Sequence, residues 1–337
     1  MKFALATEQL DFAAELRKVL DAAQVPAATR AWAAGDPAKG TALLRQVAEM
    51  GAFGLIVDEQ YDGAEATPVD LVVALVELGR AAAPGPVIES AAVIPALLQR
   101  LPDAEPARRW LPALAGGALL GTVSFGGTHR GITLDADVAD LVLVADGARL
   151  SVGRRTASVG PLASIDPARK LVAVEAEETV ADDVADAIGY AFDLGVLACA
   201  AQLLGAGRAL LDQTTTYAKQ RKQFGRAIGE FQAVKQQLAD VLIALDLAEP
   251  LLYRAALTLD SDDRARDVSA ALVACGDAAH RASRAGLQVH GAIGYTAECD
   301  LSLWITKVAA LRTAWGTADF HRGRIAEALR AAEPAAV

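Results

Sequence analysis

Apolar positions recur at spacings of three, four and seven along most of this chain, and the elements they mark are helices. Phe12, Leu16, Val19 and Leu20 follow Thr7 at helical spacing, with Thr7 placed to cap the first helix and Pro26 beyond its end. A second helix fits Thr41 to Met50 and stops at Gly51. A third runs from Pro68 to Arg80, with proline in its first turn. Helical pieces follow from Ile88 to Leu101, interrupted or kinked at Pro95, and from Ala104 to Leu114.

The pattern changes at Gly116-Gly117. Leu119 to Phe125, Leu141 to Val144, Arg149 to Val152 and Leu171 to Val174 are short runs rich in leucine and valine between Gly, Asp and Pro, and they read as strands. Helix resumes near Ala191 and continues with breaks to Ala331. Pro250 is expected to kink or end the helix that contains it. The last helices run from about Arg264 to Leu287 and from about Leu301 to Leu329. The pattern predicts a mainly α protein with a small β-domain: a helical domain over 1–116, a β-domain over 117–187, and a four-helix-type bundle over 188–337.

Composition narrows the function. Hydrophobic residues make up 53% of the 337 positions and aromatics only 5%, which favours helix and a large core. A net charge of −10 offers no basic field for nucleic acid. Cys199, Cys275 and Cys299 are scattered, without disulfide or metal spacing, and Cys275 reads as a small core residue. The N-terminus has no secretory apolar run, and no stretch reads as long and charge-free enough to span a bilayer. A reducing cytoplasm is the expected location.

One stretch carries candidate chemistry. Between two helical patterns (Leu197, Ala201, Leu204, Leu211, Ala218, then Val234, Leu238, Val241, Leu245) lies the basic turn Arg221-Lys222-Gln223-Phe224-Gly225-Arg226-Ala227-Ile228-Gly229-Glu230-Phe231-Gln232. A guanidinium in such a turn can grip a phosphate with paired hydrogen bonds, and Phe224 and Phe231 can supply flat apolar contacts. Taken by spacing alone, the stretch reads first as a basic helix connection with two core aromatics.

The wording is more specific. Arg-Lys-Gln-Phe-Gly, then Ile-Gly and Phe-Gln, resembles the acyl-CoA dehydrogenase family, as does Gln288-Val289-His290-Gly291-Ala292-Ile293-Gly294-Tyr295. Glu77-Leu78-Gly79-Arg80-Ala81-Ala82-Ala83-Pro84-Gly85-Pro86 is similar to the family's N-terminal domain, and the order of helical, β and helical domains matches. The resemblance implies FAD, with Arg221 gripping its pyrophosphate at a site held mainly by a neighbouring subunit. Gln223, Phe224, Ile228, Phe231, Gln288, Val289, Gly291, Ala292 and Thr317 are the other expected cofactor contacts.

The family's proton-abstracting glutamate is missing from both of its usual places. Trp315 stands before Gly316-Thr317 where it is usually found, and counting back along the helix that leads to Arg221 gives Gly195 at the other. An indole cannot take the proton. Asp193 is two residues off, turned by roughly 200° to another helix face, and reads as a surface or capping aspartate. The β-domain looks shortened. Ser124-Phe125-Gly126-Gly127-Thr128-His129 replaces the family's first flavin loop, and nothing matches its Trp-Ile-Thr segment. His290 is expected to pack or to face a ribose, and His321-Arg322 to be a surface pair or to reach a partner.

The resemblance therefore implies a subunit without a catalytic residue of its own. It is similar to the short subunits of heteromeric bacterial steroid side-chain acyl-CoA dehydrogenases, which pair with a full-length homologue as α2β2. The implied substrate is an acyl-CoA or steroid-CoA, desaturated at the α,β bond, with an electron-transfer flavoprotein or similar acceptor. Two alternatives stand beside it. One is a self-sufficient homo-oligomeric flavoenzyme using Asp193, Glu298 or His129 as a displaced base. The other is a structural paralogue without flavin.

Overall fold

The computed structural model describes residues 4–126, 131–156, 162–296 and 298–332. The N-terminal part is helical: α1 (Thr7–Ala22), α2 (Val25–Ala33), α3 (Ala38–Glu49), α4 (Pro68–Arg80), α5 (Ile94–Leu98) and α6 (Glu105–Ala115). Thr7 is the first residue of α1 and not its cap. The N-cap is Ala6, whose N–H donates to the Gln9 side chain at 3.0 Å. Pro26 lies beyond α1, as expected, but in the first turn of α2, because Gln24 turns the chain in the left-handed region (φ 50°) and a proline suits a first helical turn. α5 follows directly on a π-helical turn, Glu89–Val93, so the irregularity expected at Pro95 lies one turn earlier.

The middle part is a five-stranded sheet, ordered β1-β3-β4-β5-β2, from β1 (Gly121–Phe125), β2 (Ile132–Leu134), β3 (Leu141–Asp146), β4 (Arg149–Arg155) and β5 (Leu171–Ala181). β1 is parallel to β3, and the other pairings are antiparallel. β2 is too short to show in the sequence pattern. β5 runs seven residues past Val174, with its outer half exposed. Ser90, from the π-helical turn, is locked to β1: its Oγ donates to Gly121 O at 2.8 Å and accepts from Gly121 N–H at 3.0 Å.

The C-terminal part is a bundle of α7 (Ala185–Gln220), α8 (Gln232–Leu257), α9 (Arg264–His290), α10 (Leu301–Ala314) and α11 (Ala318–Ala332). Contrary to the expectation from sequence, α7 is long and apolar enough to cross a membrane. Its most apolar window, of mean hydropathy 1.6, is 89% buried, so here it is the central core helix. Glycines bring α4 against it. A Cβ on Gly79 would lie 2.2 Å from Gln202 O, and one on Gly205 would lie 1.9 Å from Val76 O. Pro250 neither ends nor splits α8. α10 is tied to the end of α4 by Trp304 Nε1–H to Arg80 O (2.8 Å) and Lys307 Nζ to Ala83 O (2.7 Å). The chain breaks at 315–317, inside the span where one final helix was expected.

Candidate functional site

The basic turn is a small hairpin, not a plain helix connection. α7 ends as Arg221 N–H donates to Tyr217 O (2.8 Å). β6 (Lys222–Gln223) then pairs with β7 (Arg226–Ala227) around Phe224 and Gly225. Both turn residues have positive φ, 50° and 81°, as a two-residue turn of type I′ demands. Glycine meets that cheaply, but phenylalanine pays strain. The Phe224 ring is 92% exposed, so burial within this chain does not offset the strain. Phe224 lies edge-on to Phe231 at 6.2 Å, and the Arg226 guanidinium sits 4.3 Å above the Phe231 ring. Arg221 and Gln223 are exposed, and Ile228 and Phe231 are half-buried. Among the described residues the Arg221 guanidinium forms no ion pair.

The second motif is adjacent. Gln288, Val289 and His290 form the last turn of α9, which Gly291 ends at φ 64°. Gln288, Gly291 and Ala292 are exposed, and Val289 is half-buried. His290 is a packing residue. It is 9% exposed, its Nδ1 is 2.8 Å from Gly286 O, and its ring stacks on Tyr217 at 4.1 Å. Tyr217 is one turn before Arg221, so this stack joins the two motifs at one end of the bundle. Thr317 belongs elsewhere. Its Oγ1 accepts from Phe320 N–H at 3.2 Å and caps α11, beside Trp315.

The two positions where a base is missing touch each other. A Cβ on Gly195 would lie 2.3 Å from Cζ3 of Trp315, so only glycine admits the indole there. Trp315 is 4% exposed and packs edge-on to Phe125 at 5.6 Å, while Phe192 contacts both rings at 5.7 and 6.0 Å. This is an apolar plug.

The displaced bases fare no better. Asp193 is neither a surface nor a capping residue. It is 3% exposed, and it accepts from Arg264 Nε at 3.0 Å and Arg324 Nη2 at 2.6 Å, pinning α7 to α9 and α11. Both carboxylate oxygens are thus occupied by guanidinium groups. Glu298 is exposed in the turn between α9 and α10. His129 lies outside the described residues. His321 is not on the surface. It is fully buried, bonded through Nε2 to Trp315 O (2.8 Å) and through Nδ1 to Ser269 Oγ (3.0 Å), and it fixes the turn that presents Trp315.

A cavity of about 490 Å³ opens beside the plug. Its walls include Val123, Phe125 and Thr133 of the sheet, Ile165 of the segment before β5, and Thr313 and Trp315 at the end of α10. Two ionisable side chains line it, Glu89 and Arg169. The sequence reading passed over both. The available signal was an acidic residue inside the apolar run Val87-Ile88-Glu89-Ser90-Ala91-Ala92-Val93-Ile94.

A three-part fold of this order, with the Arg221 and Gln288 motifs joined through Tyr217 and His290, defines a class. Residues 6–118 match the acyl-CoA dehydrogenase N-terminal domain and residues 185–330 the acyl-CoA dehydrogenase C-terminal domain. The chain belongs to the acyl-CoA dehydrogenase family, oxidoreductases that act on a CH–CH bond of an acyl-CoA. Among curated proteins it is similar to the acyl-CoA dehydrogenase IpdE2 of Mycobacterium tuberculosis, 32% identical over 283 residues, 84% of this chain and 85% of that one. Two solved structures share the fold. The ChsE4-ChsE5 complex from Mycobacterium tuberculosis is 24% identical, with TM-score 0.83 over 99% of this chain and 100% of that one. A steroid ACAD variant is 20% identical, with TM-score 0.81 over 97% and 99%.

Proposed function

We propose that this chain is the non-catalytic subunit of a heteromeric, FAD-dependent acyl-CoA dehydrogenase. In this reading it completes a partner's FAD site and abstracts no proton itself. One observation carries the reading: the Trp315 indole is packed against Gly195, so both base positions are closed by the same apolar contact. A carboxylate placed there would have to displace the ring.

The chain's groups fit FAD at the other end of α7. Arg221 is an exposed cation with no ion-pair partner among the described residues, in reach of an anion arriving from outside the chain. Phe224 projects an unburied ring, and Gly291 opens the backbone at the end of α9 with nothing within 4 Å of where a Cβ would stand. Gln223, Ile228, Phe231, Gln288, Val289 and Ala292 surround these groups in the two joined segments. Thr317 is assigned to the cap of α11 and could reach only a cofactor at that opposite end. When bound, FAD supplies the hydride acceptor. Arg221 would neutralise its pyrophosphate, and Phe224 and Phe231 would exclude water from it.

A partner of the same fold, full-length and bearing the glutamate, also accounts for the outer face of α8. Ile243, Leu247 and Leu251 recur every fourth residue and are 55%, 69% and 38% exposed, an apolar stripe that needs a cover. The assembly is then α2β2, in the cytoplasm, taking an acyl-CoA or steroid-CoA and passing electrons to an electron-transfer flavoprotein or similar acceptor.

The test is co-expression with a full-length homologue and measurement of flavin absorbance and native mass. The chain alone is expected to hold no stoichiometric FAD, and the complex to be yellow. Arg221→Ala is expected to lower the flavin content while the two chains remain together. A chain that alone binds one FAD and reduces it with a CoA thioester would refute the reading.

A further inference from the structure

Glycines bring α7 and α9 close along the faces they turn to each other. A Cβ on Gly207 would lie 3.2 Å from Ala279 Cα, and one on Gly286 would lie 3.0 Å from Thr214 Oγ1. A Cβ on Gly276 would lie 3.9 Å from Leu203 Cδ1. The facing positions rise together along both helices, so α7 and α9 run parallel and end side by side. At the last turn the glycine contacts give way to two rings. Tyr217 faces His290 with centroids 4.1 Å apart and planes inclined by 20°. Stacked rings make a spacer of fixed thickness, whereas flexible aliphatic chains interdigitate to variable depth. Tyr217 makes no side-chain hydrogen bond among the described residues. The His290 ring makes one, within its own helix: Nδ1–H donates to Gly286 O at 2.8 Å.

Each ring carries one of the two motif segments. Tyr217 O accepts from Arg221 N–H at 2.8 Å, and Arg221 O accepts from Ile228 N–H at 2.8 Å. A Cβ on Gly229 would lie 3.1 Å from Ala218 O, so the hairpin hangs on the turn of α7 that holds Tyr217. On the other side, a Cβ on Gly294 would lie 3.2 Å from His290 Cβ, so the turn Gly291–Tyr295 folds back onto His290. The thickness of the stack therefore sets how far Arg221 stands from the segment that begins at Gln288.

We propose that Tyr217 and His290 are positioning residues whose stack holds Arg221 and Gln288 at one fixed separation, and that FAD affinity depends on the stack through Arg221. The inference rests on the reading above, that both segments serve one FAD. A ligand gripped from two sides loses affinity when one side shifts, because one contact is then reached at the expense of the other.

The experiment measures the FAD affinity of the complex with the co-expressed full-length homologue, from the free flavin in the filtrate as the holo complex is diluted. Tyr217→Leu keeps apolar bulk without the flat ring and is expected to weaken FAD at least about tenfold. Tyr217→Phe keeps the ring and should stay within about twofold of the parent. His290→Leu makes the same change from α9 and should match Tyr217→Leu. Native mass and melting temperature show that each variant folds and that the chains stay together. A cycle with Arg221→Ala separates positioning from plain packing. In that background Tyr217→Leu should add less than about twofold, since the group it places is gone. The same loss in both backgrounds, an equal loss in Tyr217→Phe, or parent affinity in Tyr217→Leu while Arg221→Ala still weakens FAD overturns the inference and leaves the FAD reading standing. Unchanged affinity in Arg221→Ala itself overturns both.

Discussion

Asp193→Asn separates a structural aspartate from a displaced base. The carboxylate is 3% exposed and holds two cations, Arg264 Nε at 3.0 Å and Arg324 Nη2 at 2.6 Å. Neutralising it leaves both guanidinium groups without a counter-charge, and breaking a buried ion pair from one side costs about 3–5 kcal/mol. The arginine side chains are 33% and 21% exposed, so water takes up part of the loss and about 3 kcal/mol is expected. For 337 residues the unfolding entropy near the midpoint is about 0.7 kcal/mol/K, so the melting temperature should fall by about 4 °C. Differential scanning calorimetry of the complex measures this. Turnover measured well below the transition should be unchanged, because Asp193 points into an arginine pair and not into the cavity. A variant with the parent melting temperature and full flavin content but no turnover would show that Asp193 is the base and that the pairing argument is wrong.

The plug yields a coupled prediction. Trp315→Ala should cost about 3–5 kcal/mol by leaving a cavity, and Gly195→Ala about 1–3 kcal/mol by pushing the indole from its seat. Together they should cost less than their sum, since the methyl enters space the ring has left, and denaturant titration of the cycle reads the difference. Phe224→Ala should leave the melting temperature of the chain unchanged, since the ring is 92% exposed, yet weaken FAD retention by the complex in dialysis. Burial pushes Lys307 down to about 8 from 10.5. Between those pH values the unfolded chain binds more protons than the native one, so this group's contribution to stability rises by about 3 kcal/mol as pH increases, and is at its lowest below pH 8. Lys307→Met should flatten that slope in urea midpoints measured from pH 7.5 to about 10.5.

Periodicity located the long helices because each buries one face, and the pattern survives without knowledge of the partner surface. It missed α2 because Pro26 can end one helix or start another, and the choice rests on the left-handed turn at Gln24. It missed β2 because three residues carry too little alternation to stand out. The motif at Arg221 was legible as words, but its hairpin was not, since a phenylalanine at positive φ is uncommon. Asp193 and His321 were misjudged for one shared reason. Their partners lie far along the chain: 71 and 131 residues from Asp193, 52 from His321 to Ser269. Local spacing cannot show a charge supplied from another helix. The meeting of Gly195 with Trp315 was prefigured only in that both positions lacked a carboxylate. Their contact required the fold.

α7 holds the plugged position at one end and the outward hairpin at the other. Gly195 and Arg221 are 26 residues apart on that one helix, a separation of about 39 Å. No single small-molecule site spans such a distance, so the two ends cannot belong to one site. In the proposed reading, loss of a base at one end leaves the other intact, where the loop would serve a neighbour. If the proposed function holds, such a chain would be inert by itself and needed by a partner that carries the base.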